Sequence, residues 1–254
     1  MEQRFAFDEV AEQYLRARPG YPEALFEDLV ACSGLGPGAR ILEIGCGPGN
    51  ASARLADRGY RLTCLEPGPR LAELARRQLA SHRDVRVVNE TFESYPLPAQ
   101  TFDLVMAAQS FHWVDPQLRC EKSARALAAD GVLAVIANRP VMGTSRVEAA
   151  VQNIYETLVP EMSEQGDLLN TVDQFSDELR GSGAFPRIEA REYPWNMEYS
   201  TSDYLDLQNT HSNHQMLPEL IRSQLLDAVG SAIDEHGGVF RMDRVAVLVM
   251  GFRS

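Results

Sequence analysis

The stretch Ile41-Leu42-Glu43-Ile44-Gly45-Cys46-Gly47-Pro48-Gly49 decides the fold of this chain. A largely apolar run ends in glycines at alternate positions, and Asn50–Arg58 directly after it has helical spacing. The order is strand, tight turn, helix. Glycines belong where a backbone must turn sharply and let a ligand approach closely. A dinucleotide fingerprint carries glycine at its sixth position, where this chain has Asn50, and a phosphate-binding loop ends in Gly-Lys-Ser/Thr, which is absent. The spacing favours a nucleoside ligand without a pyrophosphate.

Glu66 stands 21 residues after Gly45, at the end of the next apolar run and before Pro67-Gly68. An acid there is placed to accept hydrogen bonds from both hydroxyls of a ribose. Gly-rich turns are common and a lone Glu can be a surface residue. In strand–loop–helix–strand order the two together point to nucleoside binding.

Outward from this centre, strand-like runs at Arg40–Ile44, Arg61–Leu65, Val85–Val88, Phe102–Ala107 and Gly131–Ala137 alternate with helical stretches at Asn50–Arg58, Pro69–Ala80 and Asp115–Ala129. That alternation predicts βαβ units and a parallel sheet. Two helices, Asp8–Ala17 and Pro22–Ser33, are expected before the first strand. Past residue 140 the pattern predicts helices at Arg146–Val159, Asp167–Leu179 and Pro218–His236, a polar region over Ser200–Gln215, and strands at Arg187–Trp195 and Arg244–Phe252. The last two would add an antiparallel hairpin to one edge. The expected architecture is an α/β, Rossmann-like, seven-stranded and mostly parallel sheet, with helices on both faces and a small helical cap.

Composition narrows the partners. Thirty-six acidic against 24 basic residues give a formal charge of −12, a field that repels nucleic-acid phosphates and anionic membranes. No apolar run approaches the ~20 residues of a spanning helix. The N-terminal MEQRFAFDEV carries acids at once and has no apolar signal core, so a cytoplasmic protein is expected. The four cysteines form no C-x-x-C and read as reduced thiols. His211-x-x-His214 has metal-like spacing but no third ligand nearby in sequence, so no metal is expected.

Glu43-x-Gly45-x-Gly47-x-Gly49 resembles motif I of class I S-adenosylmethionine-dependent methyltransferases, and Leu65-Glu66-Pro67 resembles motif II. Thr91–Pro98 and Thr101–Val105 are similar to the third and fourth motifs of the type 11 group. Leu127–Leu133 resembles that group's entry to strand five, with Asp130 where a glycine is usual. Asp8-x-x-Ala11-x-x-Tyr14-x-x-Ala17-Arg18-Pro19-x-Tyr21-Pro22 and Gln109-Ser110-Phe111-His112-Trp113 look like the subgroup of trans-aconitate methyltransferases and related small-molecule enzymes. The resemblance covers about residues 5–137. It implies one methyltransferase domain over 1–254, with N-terminal lid helices about 1–38, a cofactor-binding core about 39–139, and cap and edge strands about 140–254.

The resemblance implies S-adenosylmethionine as cofactor and S-adenosylhomocysteine as product. The backbone of Gly45, Cys46, Gly47 and Gly49 would pass beneath the methionine part, with Glu43 ordering its amino group. Glu66 would hold the ribose and Pro67 lie near the adenine, which Thr91, Phe92 and Glu93 surround; Thr91 replaces an Asp common in relatives. Tyr14 and Arg18 would close over the methionine end, and Gln109, His112 and Trp113 would line the reaction chamber. For the acceptor, Tyr21, Arg139, Trp195, Tyr199 and His211 are the remaining candidates, and Arg18, Arg139 and Arg146 are the cations suited to a carboxylate, with no order among them. His112 is the candidate catalytic base, or else a positioning wall. The expected acceptor is a small molecule, a carboxylate oxygen foremost; N- or C-methylation of a natural-product scaffold and a non-catalytic cofactor-binding partner subunit are the alternatives. The expected assembly is a monomer or homodimer.

Overall fold

A computed structural model describes residues 20–141, 143, 145–163 and 172–254. The expected helix Asp8–Ala17, with Tyr14 and Arg18, lies outside the described residues. The strands are β1 Arg40–Ile44, β2 Arg61–Leu65, β3 Val85–Val88, β4 Phe102–Ala108, β5 Leu127–Pro140, β6 Arg187–Ser200 and β7 Val239–Phe252. They form one sheet in the order β3-β2-β1-β4-β5-β7-β6. β1 runs parallel to both β2 and β4, β2 to β3, and β4 to β5. The order turns outward in both directions from β1 and β4, which places the C-terminal ends of those two strands at the switch point where α/β sheets receive ligands. The edge is antiparallel, as expected: the Arg253 amide donates to the Gly131 carbonyl at 2.9 Å, so β7 leaves where β5 enters.

The chain clusters into two compact units. Among the described residues, the first comprises 20–138, 172–193 and 246–254, and the second takes those within 139–163 and 194–245. In the first, β1 and β4 are buried along almost their whole length, which is why their sequences read as continuous apolar runs rather than alternating ones. Helices α1 Glu23–Ser33, α2 Asn50–Ala56, α3 Pro69–Gln78, α4 Arg119–Ala126 and α7 Val172–Gly181 belong to this unit. Close packing fixes α7 against β7: a Cβ on Gly251 would lie 2.5 Å from Leu179 Cδ2 and 2.8 Å from the Phe185 ring.

Several boundaries differ from the sequence expectation: β6 runs on to Ser200 and β7 starts at Val239, and three more have a local reason. The helix expected from Asp115 starts at Arg119, because the Asp115 carboxylate accepts the Gln117 amide at 2.9 Å and holds the preceding residues in a turn. β5 begins at Leu127 rather than Gly131, and Asp130 stands at φ 60° within a register shift opposite Phe102–Leu104. That bulge breaks the apolar pattern on which the strand is read. The polar region Ser200–Gln215 is helical, with α8 Thr201–Asn209 and α9 Ser212–Gln215. Ser200 Oγ accepts the Asp203 amide at 3.2 Å and starts α8 as an N-cap.

In the second unit, α5 Arg146–Leu158 opens with a capping box in which Ser145 and Glu148 satisfy each other's amides. It is followed by α6 Pro160–Ser163, and later by α8, α9 and α10 Glu219–Glu235. Val151, Tyr204, Leu207, Leu225, Val229, Ile233 and Phe240 form its core, with the Tyr204 and Phe240 rings 4.1 Å apart.

Candidate functional site

The glycine turn sits between β1 and α2, where positive φ values recur: 63° at Gly45, 56° at Gly47 and 97° at Gly49. Gly45 is required twice over, since a Cβ there would also stand 2.7 Å from the Ser110 Cβ. Ser110 in turn donates its hydroxyl to the Ile44 carbonyl and so joins the end of β1 to the end of β4.

Glu66 straps the turn to β2. Its Oε2 accepts the Gly47 amide at 2.8 Å and its Oε1 accepts the Gly68 amide at 2.8 Å. Asn89, just past β3, donates its Nδ2 to the carbonyls of Glu66 at 2.8 Å and Pro67 at 2.9 Å. The carboxylate is thus fixed on both sides at the C-terminal end of the sheet. A carboxylate accepts about four hydrogen bonds, so holding two amides is compatible with holding a pair of ribose hydroxyls.

Glu43 is fully buried, 1% exposed, and Ser52 donates its hydroxyl to Oε2. Burial pushes its pKa up to about 8, against the lowering effect of the Ser52 bond, and the neighbouring Glu66 charge adds to the rise. A cationic group brought against this carboxyl would restore its charged form.

Thr91, Phe92 and Glu93 follow β3. Phe92 is buried with the Lys122 ammonium 5.2 Å from its ring centroid, and Lys122 also donates to the Glu93 carbonyl at 2.8 Å. The Thr91 hydroxyl lies 2.6 Å from Ser94 Oγ and accepts the Ser94 amide at 3.2 Å, closing a local turn.

Gln109, at the end of β4, has φ 60°, an unusual value for a residue other than glycine. Its amide donates to Ile136 at 2.8 Å and its Nε2 to the Asn138 carbonyl at 2.9 Å. Asn138 donates its side chain to the Gly20 carbonyl at 3.1 Å. The 3-10 turn Phe111–Trp113 follows, with the His112 and Trp113 rings 4.8 Å apart. His112 is an exposed residue, yet burial of its ring environment pushes its pKa down to about 4, and the Arg119 guanidinium adds to this. The imidazole is neutral at neutral pH.

The first unit therefore brings together Glu43, the Gly45–Gly49 turn, Glu66, Pro67, the Thr91–Glu93 segment, Gln109, His112 and Trp113 around the ends of β1 to β4. Tyr21 also belongs to it, its ring edge-on to Phe26 at 6.1 Å. Arg139, Trp195, Tyr199 and His211 belong to the second unit. There Tyr199 is a core residue, 5% exposed and packed on Tyr204, and His211 stands beside buried His214, with ring centroids 5.7 Å apart. Among the described residues no group of three or more His, Cys, Asp or Glu could hold a metal ion, and no helix is long and apolar enough to cross a membrane. Ser52, Asn89, Ser110 and Arg119 were not among the expected site residues. They are single polar residues whose importance comes from contacts distant in sequence.

Residues 42–135 match the family described as a methyltransferase domain. Over 243 residues the chain is 24% identical to an uncharacterized methyltransferase of Mycobacterium tuberculosis, covering 95% of this chain and 91% of that one. A malonyl-[acyl-carrier protein] O-methyltransferase of Enterobacter lignolyticus is 38% identical over 98 residues, 38% of each chain. In fold the chain is similar to the YcgJ protein from Bacillus subtilis, with a TM-score of 0.57 and 16% identity over 91% of this chain and 99% of that one. It is also similar to a phosphoethanolamine N-methyltransferase 2 of Haemonchus contortus bound to S-adenosylhomocysteine, with a TM-score of 0.59 and 15% identity over 97% of this chain and 58% of that one. The matched segment lies wholly inside the first unit and spans the glycine turn, Glu66 and the end of β4; the domain match, the methyltransferase relatives and the fold together support a class I S-adenosylmethionine-dependent methyltransferase.

Proposed function

We propose that this enzyme methylates a small molecule, with a carboxylate oxygen as the acceptor atom. The cofactor assignment rests on one observation above the others, the Glu66 strap across the glycine turn. Glu66 holds the ribose hydroxyls, Glu43 faces the methionine ammonium, and the Gly45–Gly49 backbone, with Cys46 at its centre, underlies the methionine chain. Pro67, Thr91, Phe92 and Glu93 border the adenine. When bound, S-adenosylmethionine supplies a methyl group already activated on a sulfonium with a neutral leaving group. What remains for the protein is in-line positioning and exclusion of water.

The carboxylate reading draws support from two directions. The malonyl-[acyl-carrier protein] O-methyltransferases share 38% and 36% identity over 98 and 109 residues, about two fifths of this chain. A base works best with a pKa near the working pH, whereas His112 is pushed down to about 4. It suits an acceptor that is already ionised and needs no base. In this reading Gln109, His112 and Trp113 wall the reaction chamber, and Tyr21 borders it. Calorimetry is expected to show binding of S-adenosylhomocysteine and none of NAD, and Gly47→Val to abolish it, since φ 56° suits no β-branched side chain. Methyl-labelled cofactor with a panel of carboxylic acids should give products that release labelled methanol in mild alkali. A label that survives alkali on nitrogen or carbon defeats the carboxylate reading.

A further inference from the structure

Arg119 is a buried cation, 9% exposed, at the start of α4. Its Nε and Nη2 donate to the two oxygens of Glu178 on α7, the second at 2.6 Å. Its Nη1 donates to the carbonyl of Phe111 at 2.8 Å and of Val114 at 3.3 Å. Those two carbonyls lie on either side of His112 and Trp113. The guanidinium also stands 4.8 Å from the Phe111 ring centroid, and Phe175 of α7 packs edge-on against the same ring at 6.3 Å. One planar fork therefore carries an anchor on one side and the turn on the other. A lysine has a single point of charge and cannot span both. A buried ion pair is a weak source of stability, because desolvation offsets its attraction; its value here is geometric.

We propose that Arg119, held in plane by Glu178, is a positioning residue for methyl transfer, fixing the turn that presents His112 and Trp113. The inference rests on the reading that this turn walls the reaction chamber. Burial is the main reason His112 stays neutral, and the same Arg119 charge adds to it. Neither Arg119 nor Glu178 touches the acceptor or the cofactor in this scheme; both act through the turn.

The test uses the full chain with Arg119→Lys and, as the milder change should lysine fail to fold, Glu178→Gln. Amide hydrogen exchange is read at Trp113 and Val114, whose amides bond within the turn to Ser110 and Phe111, and at Val105 and Met106 in β4 as internal reference. Arg119→Lys should speed exchange at the turn about tenfold or more while the reference amides stay within about twofold. Glu178→Gln should do the same more weakly. Equal acceleration at all four amides, or none at the turn, overturns the proposal. Adding S-adenosylhomocysteine separates this from the chamber reading. It should shift the His112 ring and Trp113 signals of the wild type, with its affinity within about threefold in both variants. Bound ligand that leaves those signals unmoved refutes the chamber reading, and with it the catalytic purpose of the clamp, even where the exchange result stands.

Discussion

Replacing Glu43 by Gln should make the cofactor-free protein more stable, and only above the acid range. The carboxyl is buried beside Ser52 and its pKa rises from 4.5 to about 8. Between pH 4.5 and 7 the unfolded chain gains free energy by ionising this group at ~1.4 kcal/mol per pH unit, a gain the folded chain largely forgoes, so about 3 kcal/mol of stability is lost by pH 7. The sign follows from the proton count. The folded state holds the proton more tightly, so stability is intact below the ordinary carboxyl range, falls as pH rises, and levels off above about 8. Gln keeps the shape and still accepts the Ser52 hydroxyl, but has no charge to lose. Urea unfolding of both proteins without cofactor, at half-unit steps from pH 5 to 9, should show a small gap at pH 5 that widens up to about pH 8. A gap that does not change with pH, or a variant less stable throughout, would refute the account. If the carboxyl meets the methionine ammonium as proposed, the same variant should bind S-adenosylmethionine more weakly. Stability and function pull in opposite directions at this residue.

Glu66→Gln keeps the size but weakens acceptance of both the loop amides and the ribose hydroxyls. Charged hydrogen bonds contribute about 1.5–3 kcal/mol, so S-adenosylhomocysteine affinity by calorimetry should fall roughly ten- to a hundredfold. Asp130→Gly relieves a φ of 60° at the β5 bulge and should add about 1 kcal/mol in denaturant melts, whereas Asp130→Val should cost at least as much. His112→Ala, on a carboxylate acceptor, should slow single-turnover transfer less than about tenfold, far below the ~10²–10⁴ of a lost base. The wild-type rate should likewise stay flat between pH 6 and 8, because the native ring is already neutral there. A large, pH-dependent loss would make His112 the base after all.

The core was legible because its strands are buried on both faces and interrupted by turn glycines, so Ile41–Ile44 and Leu104–Ala107 read as apolar runs without any knowledge of their neighbours. Glu66 was legible for a similar reason: its distance from the glycine turn is set by one helix and one strand. The Arg119–Glu178 pair was not, because its members lie 59 positions apart and nothing local marks either one. The start of β5 was hidden by Asp130, which takes a glycine's conformation without being glycine. Helix α8 was hidden because its polar residues mask the period and its start depends on a Ser200 cap that only the folded backbone reveals. The acceptor residues were the least legible, since their sequence carries no motif and their placement is a matter of tertiary packing.

The cysteines have a practical consequence. Cys46 lies in the middle of the glycine turn; its thiol is buried, and contact with the Cys64 sulfur, then burial, raises its pKa well above the ordinary range. Cys64 is fully buried in the strand alongside, and Cys120 is pushed up to about 12, mainly by burial. Cys32 is only half-buried. Thiolates, not thiols, react with alkylating reagents, so the wild-type chain already carries a fast external standard in Cys32 and a slow internal clock in Cys46. The rate at which Cys46 becomes labelled counts how often the glycine turn opens, and it can be read peptide by peptide without introducing a probe.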